Sequence, residues 1–168
     1  QWAVDEGKLK ASRVHNLIID LAFPIIYTTN YDRFIEESYR LRGETFHKVV
    51  ALRDLIGIGS GTQIVKLHGD FDDDNSLVIA ESDYFERLNF ESPLDIRLRA
   101  DVLGKWILFI GYSLSDINVR LLLYKMWKMW GASGYQAEQP KSFVFLPKPD
   151  EIQDAVLVNW GVHTITAP

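Results

Sequence analysis

The sequence predicts an α/β domain: a Rossmann-like, mostly parallel sheet flanked by helices. Three observations lead there. Short apolar runs of strand type alternate along the chain with stretches of helical period. Several of those runs end in polar residues and pass at once into a helix, as the carboxyl ends of parallel strands do. Finally, Trp106-Ile107-Leu108-Phe109-Ile110 is continuously apolar between Lys105 and Gly111, the pattern of a strand buried on both faces of a parallel sheet.

In chain order, 8–22 reads as one helix, with Val14, Leu17, Ile18 and Leu21 on a single apolar face. Pro24 stops it and opens the strand Ile25-Ile26-Tyr27-Thr28. The next helix spans about 33–41, with Asp32 as N-cap and Gly43 as terminator. A second strand follows at 46–52. Gly57-Ile58-Gly59-Ser60-Gly61 has the look of a phosphate loop, but it precedes a strand rather than opening a helix, so a flexible connector is expected.

The strand Gln63-Ile64-Val65-Lys66-Leu67 ends in His68-Gly69-Asp70. An acidic turn leads to a strand at 76–80 and a short helix at 82–88. Ser92 as N-cap and Pro93 at N1 start a helix that ends near Gly104. After the 106–110 strand comes a helix from Ile117 to Trp130, apolar nearly all round and capped by Gly131. Such a helix is either deeply buried or covered by a partner. Ser142–Leu146 reads as another buried strand, a helix runs to Trp160, and 162–165 forms the last strand.

At 168 residues, 47% of them hydrophobic, the chain is expected to form one domain, 1–168, with a sizeable core. It does not begin with Met, so a fragment or one module of a longer protein is expected. The net charge of −5 and the absence of any Lys/Arg run argue against nucleic acid as the partner of this domain. There is no cysteine, which excludes disulfides, a thiolate nucleophile and a Cys-based zinc ribbon. No apolar run is long enough to span a membrane and no signal peptide is visible, so a cytoplasmic protein is expected.

Three strand ends carry polar groups: Asn30 with Asp32, His68 with Asp70, and Ser113 with Ser115 and Asp116. In a parallel sheet these ends open on one edge, where distant residues can meet. Each also has a plainer role, since Asp32, Ser115 or Asp116 can simply cap a helix and His68 can stabilise a turn. Asp70, Asp72, Asp74 and Glu81 fall on positions 1, 3, 5 and 12 of a calcium loop. Asn75 occupies the position that requires glycine, and the segment lies between strands rather than helices; a solvated acidic turn is expected, and no metal. His15 and His47 are expected at the surface and His163 on the last strand. The stripe of Met126, Trp127, Met129 and Trp130 is expected in the core, or at an oligomer interface.

Thr28-Thr29-Asn30-Tyr31-Asp32, Lys66-Leu67-His68-Gly69-Asp70, Ser82-Asp83-Tyr84 and Phe109-Ile110-Gly111-Tyr112-Ser113-Leu114-Ser115-Asp116 occur in this order at compatible spacing. Together they resemble the prokaryotic sirtuin-like domain family of antiphage defence proteins, over about residues 14–165. The resemblance implies NAD+ as substrate, with cleavage of its nicotinamide–ribose bond and no metal. It implies catalytic roles for Asn30, which orients the ribose or the attacking water, and for His68, which bonds a ribose hydroxyl and accepts a proton. Thr28, Thr29, Asp32, Gly69, Gly111, Ser113 and Asp116 would contact the dinucleotide, with Asp32 near the carboxamide and Gly111 and Ser113 beside ribose and phosphate.

The chain departs from the family at two places. It lacks the four-Cys zinc ribbon of lysine-deacylating sirtuins, and no Gly-Ala-Gly first strand precedes the first helix. The function expected is hydrolysis of NAD+ to nicotinamide and ADP-ribose in defence, within a homo-oligomer or a longer chain. The alternative is a non-catalytic domain that senses NAD+ or ADP-ribose, or serves as a scaffold.

Overall fold

A computed structural model describes residues 4–57, 59–78, 91–111, 117–146, 148 and 151–166. It divides into two compact units, Gln1–Phe85 and Glu86–Pro168.

The first unit opens with two short helices where one was expected. Asp5 accepts from the Lys8 N–H and starts α1, Glu6–Ala11; Ser12, at ψ 108°, then breaks the helix before α2, Arg13–Asp20. The break rotates the apolar face away from the core. Ile19 is buried, while Val14, Leu17 and Leu21 are half or more exposed. Ala22, at φ +49°, reverses the chain after α2 where a glycine would be usual.

β1 (Ile25–Thr28) leads to α3 (Phe34–Arg42), which Gly43 ends at φ +70° as expected. β2 (Phe46–Val49) is followed by a 3₁₀ turn, Leu52–Leu55, and the glycine-rich segment runs into β3 (Thr62–Lys66). The strands form a parallel sheet of order β1-β3-β2. Ile19, Tyr39 and Ile64 are its buried core, flanked by Ile26, Ile35 and Phe46. Beyond β3 the chain makes a 3₁₀ turn over Asp74–Ser76 rather than entering a strand at Ser76. The acidic run is bound to its own backbone there, Asp73 accepting from the Asn75 N–H, so the ladder cannot start. The helix expected at 82–88 and the Ser82-Asp83-Tyr84 motif lie outside the described residues.

In the second unit Ser92 caps α4 (Pro93–Gly104), its Oγ accepting from the Asp95 N–H at 3.2 Å. β4 (Ile107–Phe109), β5 (Ser142–Leu146) and β6 (Val162–Thr166) form a second parallel sheet of that order. Neither β4 nor β5 is buried on both faces as their composition suggested. β4 is half-buried throughout, Trp106 is 70% exposed, and β5 alternates, with Val144 buried and Phe145 40% exposed. Leu123, Val144, Leu146, Leu157 and Val162 make the core, backed by Phe109 and Trp160.

α5 (Ile117–Ser133) runs past Gly131, and Gly134 at φ +80° ends it instead. A glycine inside a helix only weakens it; termination needs the left-handed turn that Gly134 makes. Leu122, Leu123 and Met126 are buried, whereas Tyr124 and Met129 are about two-fifths exposed. α6 (Glu151–Asn159) connects back to β6. Among the described residues no helix is long and apolar enough to cross a membrane.

The contrast between Leu157 and Leu17 can be measured. Leu157→Ala is expected to lower stability by about 2–5 kcal/mol, by removing packed volume. Leu17→Ala, on the exposed face of α2, is expected to change it by no more than about 0.5 kcal/mol. Chemical denaturation midpoints of the two variants give the comparison.

Candidate functional site

The parallel register brings two of the polar strand ends side by side. Thr28, the last residue of β1, pairs with Lys66, the last of β3, and the Leu67 N–H donates to the Thr28 carbonyl at 2.9 Å. Asn30 and His68 thus each lie two residues beyond a paired position on neighbouring strands, which run about 4.8 Å apart. Asn30 is exposed, and its backbone N–H donates to Thr28 Oγ1 at 3.1 Å. Thr29 is half-buried beside it. Asp32 Oδ1 accepts the Phe34 N–H at 3.0 Å, so its side chain secures the start of α3.

His68 is buried, with its ring centroid 6.3 Å from that of Tyr31. Tyr31 in turn stacks on Phe71 at 5.5 Å and donates its hydroxyl to the Val78 carbonyl at 2.6 Å. The Val78 N–H donates to the His68 carbonyl at 3.0 Å, so the segment after Asp70 folds back over the end of β3. Gly69, at φ +94°, permits this return, because its α-carbon sits directly against the Ser76 backbone.

Under these loops lies a network of charge. Lys66 is completely buried; its ammonium donates to the Tyr31 carbonyl at 3.1 Å and to that of Asp32, and pairs with Glu36 at 3.1 Å and Asp70 at 3.4 Å. Lys48 bridges Asp70 (2.9 Å) and Asp72 (3.3 Å), and Arg33 also reaches Asp72 at 3.2 Å. Burial pushes the Asp70 carboxyl up. The Lys48 hydrogen bond, the Asp72 N–H and the charges of both lysines outweigh burial and hold it below the ordinary carboxylate value. For Lys48 burial works downward, and its bonds to Asp70 and Asp72 raise it overall.

The sign of the pH dependence follows. A depressed Asp70 contributes stability that is complete above about pH 4 and is lost as pH falls through its folded value. A raised Lys48 contributes stability complete below about pH 10 and lost as pH rises through its folded value. Denaturation midpoints should therefore fall on the acid side. Asp70→Asn is expected to flatten that acid limb and to lower neutral stability by about 3 kcal/mol, by leaving lysine charge unpaired.

Thr28, Thr29, Asn30, Asp32, His68 and Gly69 thus gather at the ends of β1 and β3. Gly111 lies in the second unit directly after β4, exposed and at φ +66°, while Ser113 and Asp116 lie outside the described residues. His15 and His47 are half-buried rather than at the surface: His15 bonds Ser12 Oγ at 2.7 Å and meets Phe34 edge-on, and His47 Nε2 contacts the Asp54 carbonyl at 2.7 Å. Among the described residues no group of His, Asp and Glu could hold a metal ion. Asp70 and Asp72 are engaged by lysine and arginine instead.

The roles of Lys66 and Glu36 were not evident from the sequence. The one available signal was the even spacing of Thr62, Ile64 and Lys66, which puts the lysine on the same face of β3 as core residue Ile64.

Parallel strands flanked by helices, with polar side chains at one strand edge, define an α/β domain of Rossmann-like build. The chain belongs to the SIR2-like domain family, which matches residues 24–165. It is 30% identical over 163 residues to "Defense-associated sirtuin 2" of Bacillus subtilis, covering 92% of this chain and 15% of that protein. Against "NAD(+) hydrolase ThsA" of Enterococcus faecium it is 32% identical over 123 residues, 69% of this chain and 25% of the relative. Against the ThsA of Bacillus cereus (strain MSX-D12) it is 24% identical over 152 residues, 87% and 31% respectively. The chain therefore spans less than a third of the length of each of these relatives.

Proposed function

We propose that this domain hydrolyses NAD+ to nicotinamide and ADP-ribose in antiphage defence, as one module of a longer chain or of a homo-oligomer in the cytoplasm. The observation that carries the reading is the shared edge of β1 and β3, from which Asn30 and His68 leave at matched positions. Relatives named NAD(+) hydrolase and defence-associated sirtuin support it.

In the reaction, the bond between ribose C1′ and the nicotinamide nitrogen breaks, and nicotinamide leaves as a neutral molecule with the bonding electrons. Water adds to C1′ and gives up a proton. The site has to orient the ribose, stabilise the developing oxocarbenium charge and receive that proton. Asn30 can hold a hydroxyl or the water without adding charge, and imidazole suits the proton near neutral pH. In this assignment Thr28, Thr29, Asp32 and Gly69 shape the ribose end, while Gly111, Ser113 and Asp116 contact ribose and phosphate. Thr28 and Asp32 serve through the loop conformation they fix, since both side chains bond backbone N–H groups.

The test is nicotinamide release from NAD+ by the full-length protein, beside Asn30→Ala and His68→Ala. Release that both substitutions abolish supports the assignment. Binding of NAD+ without consumption, under every activating condition tried, would instead make the domain a sensor.

A further inference from the structure

A lysine with no exposed surface, on the core face of a strand and aimed at backbone carbonyls, requires a reason to be there. Burying an ammonium is unfavourable unless its partners are arranged for it, and an apolar residue would fill the same space. Lys66 has its partners, and they are distributed in a particular way. Two are the carbonyls of Tyr31 and Asp32, in the loop that begins with Asn30. A third is Glu36, in the first turn of α3. The fourth is Asp70, two residues beyond His68 on the other loop. Neutral side chains could pin either loop alone. A single cation bonded to both fixes one relative to the other.

We propose that Lys66 is a positioning residue, holding the Asn30 loop and the His68 loop at the separation that the reaction requires. The proposal rests on the NAD+-cleaving assignment of those two residues. Lys66 does not touch substrate: it lies on the core face of β3, beneath the Tyr31–Asp32 backbone, and acts through the loops. Glu36 is the counter-charge that makes the burial tolerable. One of its oxygens has the ammonium as charge partner and accepts no aligned hydrogen bond, so losing Lys66 leaves a buried carboxylate exposed to nothing but apolar surroundings and backbone. Asp70 keeps Lys48 as a second partner and is less dependent.

The experiment uses the full-length protein with two variants, Lys66→Met and Lys66→Met/Glu36→Gln. The second removes the orphaned carboxylate, so it folds even where the first does not. Two readings are taken on whichever variants fold: nicotinamide release, and hydrogen exchange of the amides in 29–34 and 67–71. The double variant is expected to lose at least about 100-fold in kcat with KM changed severalfold at most, the signature of displaced catalytic groups. Both loops are expected to exchange faster, while the Ile64 and Val65 amides stay protected. Adding Asn30→Ala to the double variant should cost far less than it costs the wild-type protein, because the two changes act on one arrangement.

Unchanged kcat in Lys66→Met/Glu36→Gln would overturn the proposal, as would losses that simply multiply with Asn30→Ala. If the wild-type protein releases no nicotinamide, the NAD+-cleaving assignment fails. The exchange reading still decides the loop claim, and unaltered protection in both loops would refute it.

Discussion

Asn30→Ala and His68→Ala are each expected to lower the rate of nicotinamide release by about 10²–10⁴-fold, the usual range for removing a positioned acid–base or orienting group. Neither change should unfold the domain. Asn30 is exposed and makes its printed hydrogen bond through the backbone N–H, which alanine retains. His68 is buried, but its carbonyl, not its ring, accepts from Val78, and alanine keeps that bond as well. The two effects should also be strongly non-additive, since the groups serve one transition state. Rates and melting curves on the same preparations would separate lost chemistry from lost fold.

The second large effect is structural. Gly69→Ala is expected to destabilise the first unit by about 4 kcal/mol, at the upper end for single substitutions. A Cβ at this position would lie 2.2 Å from the Ser76 carbonyl oxygen and 2.5 Å from its carbon, both backbone atoms that cannot swing away. The residue also sits at φ +94°, where a side chain is strained in any case. Gly43→Ala is the control. It has a similar left-handed φ of +70° but nothing within 4 Å, so only the conformational penalty of about 1–2 kcal/mol applies. Thermal or urea unfolding of the pair isolates the clash. Because Gly69 joins His68 to Asp70, its replacement should also abolish nicotinamide release.

What the sequence reveals and what it hides divide along a physical line. Features set by a few neighbouring residues were legible: Gly43 ending α3, Ser92 and Pro93 starting α4, and the glycine-rich segment before β3 as a connector. The site's outline was legible for a related reason. Asn30 and His68 stand where apolar runs stop, and parallel pairing then makes their meeting a matter of register.

Features that depend on what arrives from elsewhere were hidden. Helical period identifies Val14, Leu17 and Leu21 as sharing a face, but not whether anything covers it, and it passes unbroken through Ser12. An all-apolar strand such as 106–110 does not say how many of its faces are packed. Lys66 is the clearest case. A lysine near a strand end reads as solvent-facing until Glu36 and Asp70, placed by α3 and by the Gly69 turn, supply the charges that let it be buried.

The most direct measurement of the central claim is product analysis after incubating the full-length protein with NAD+. Nicotinamide and ADP-ribose are expected in equal amounts, in a reaction that His68→Ala and Asn30→Ala each suppress at least a hundredfold. Intact NAD+ under every activating condition, or product formation indifferent to both substitutions, would contradict it.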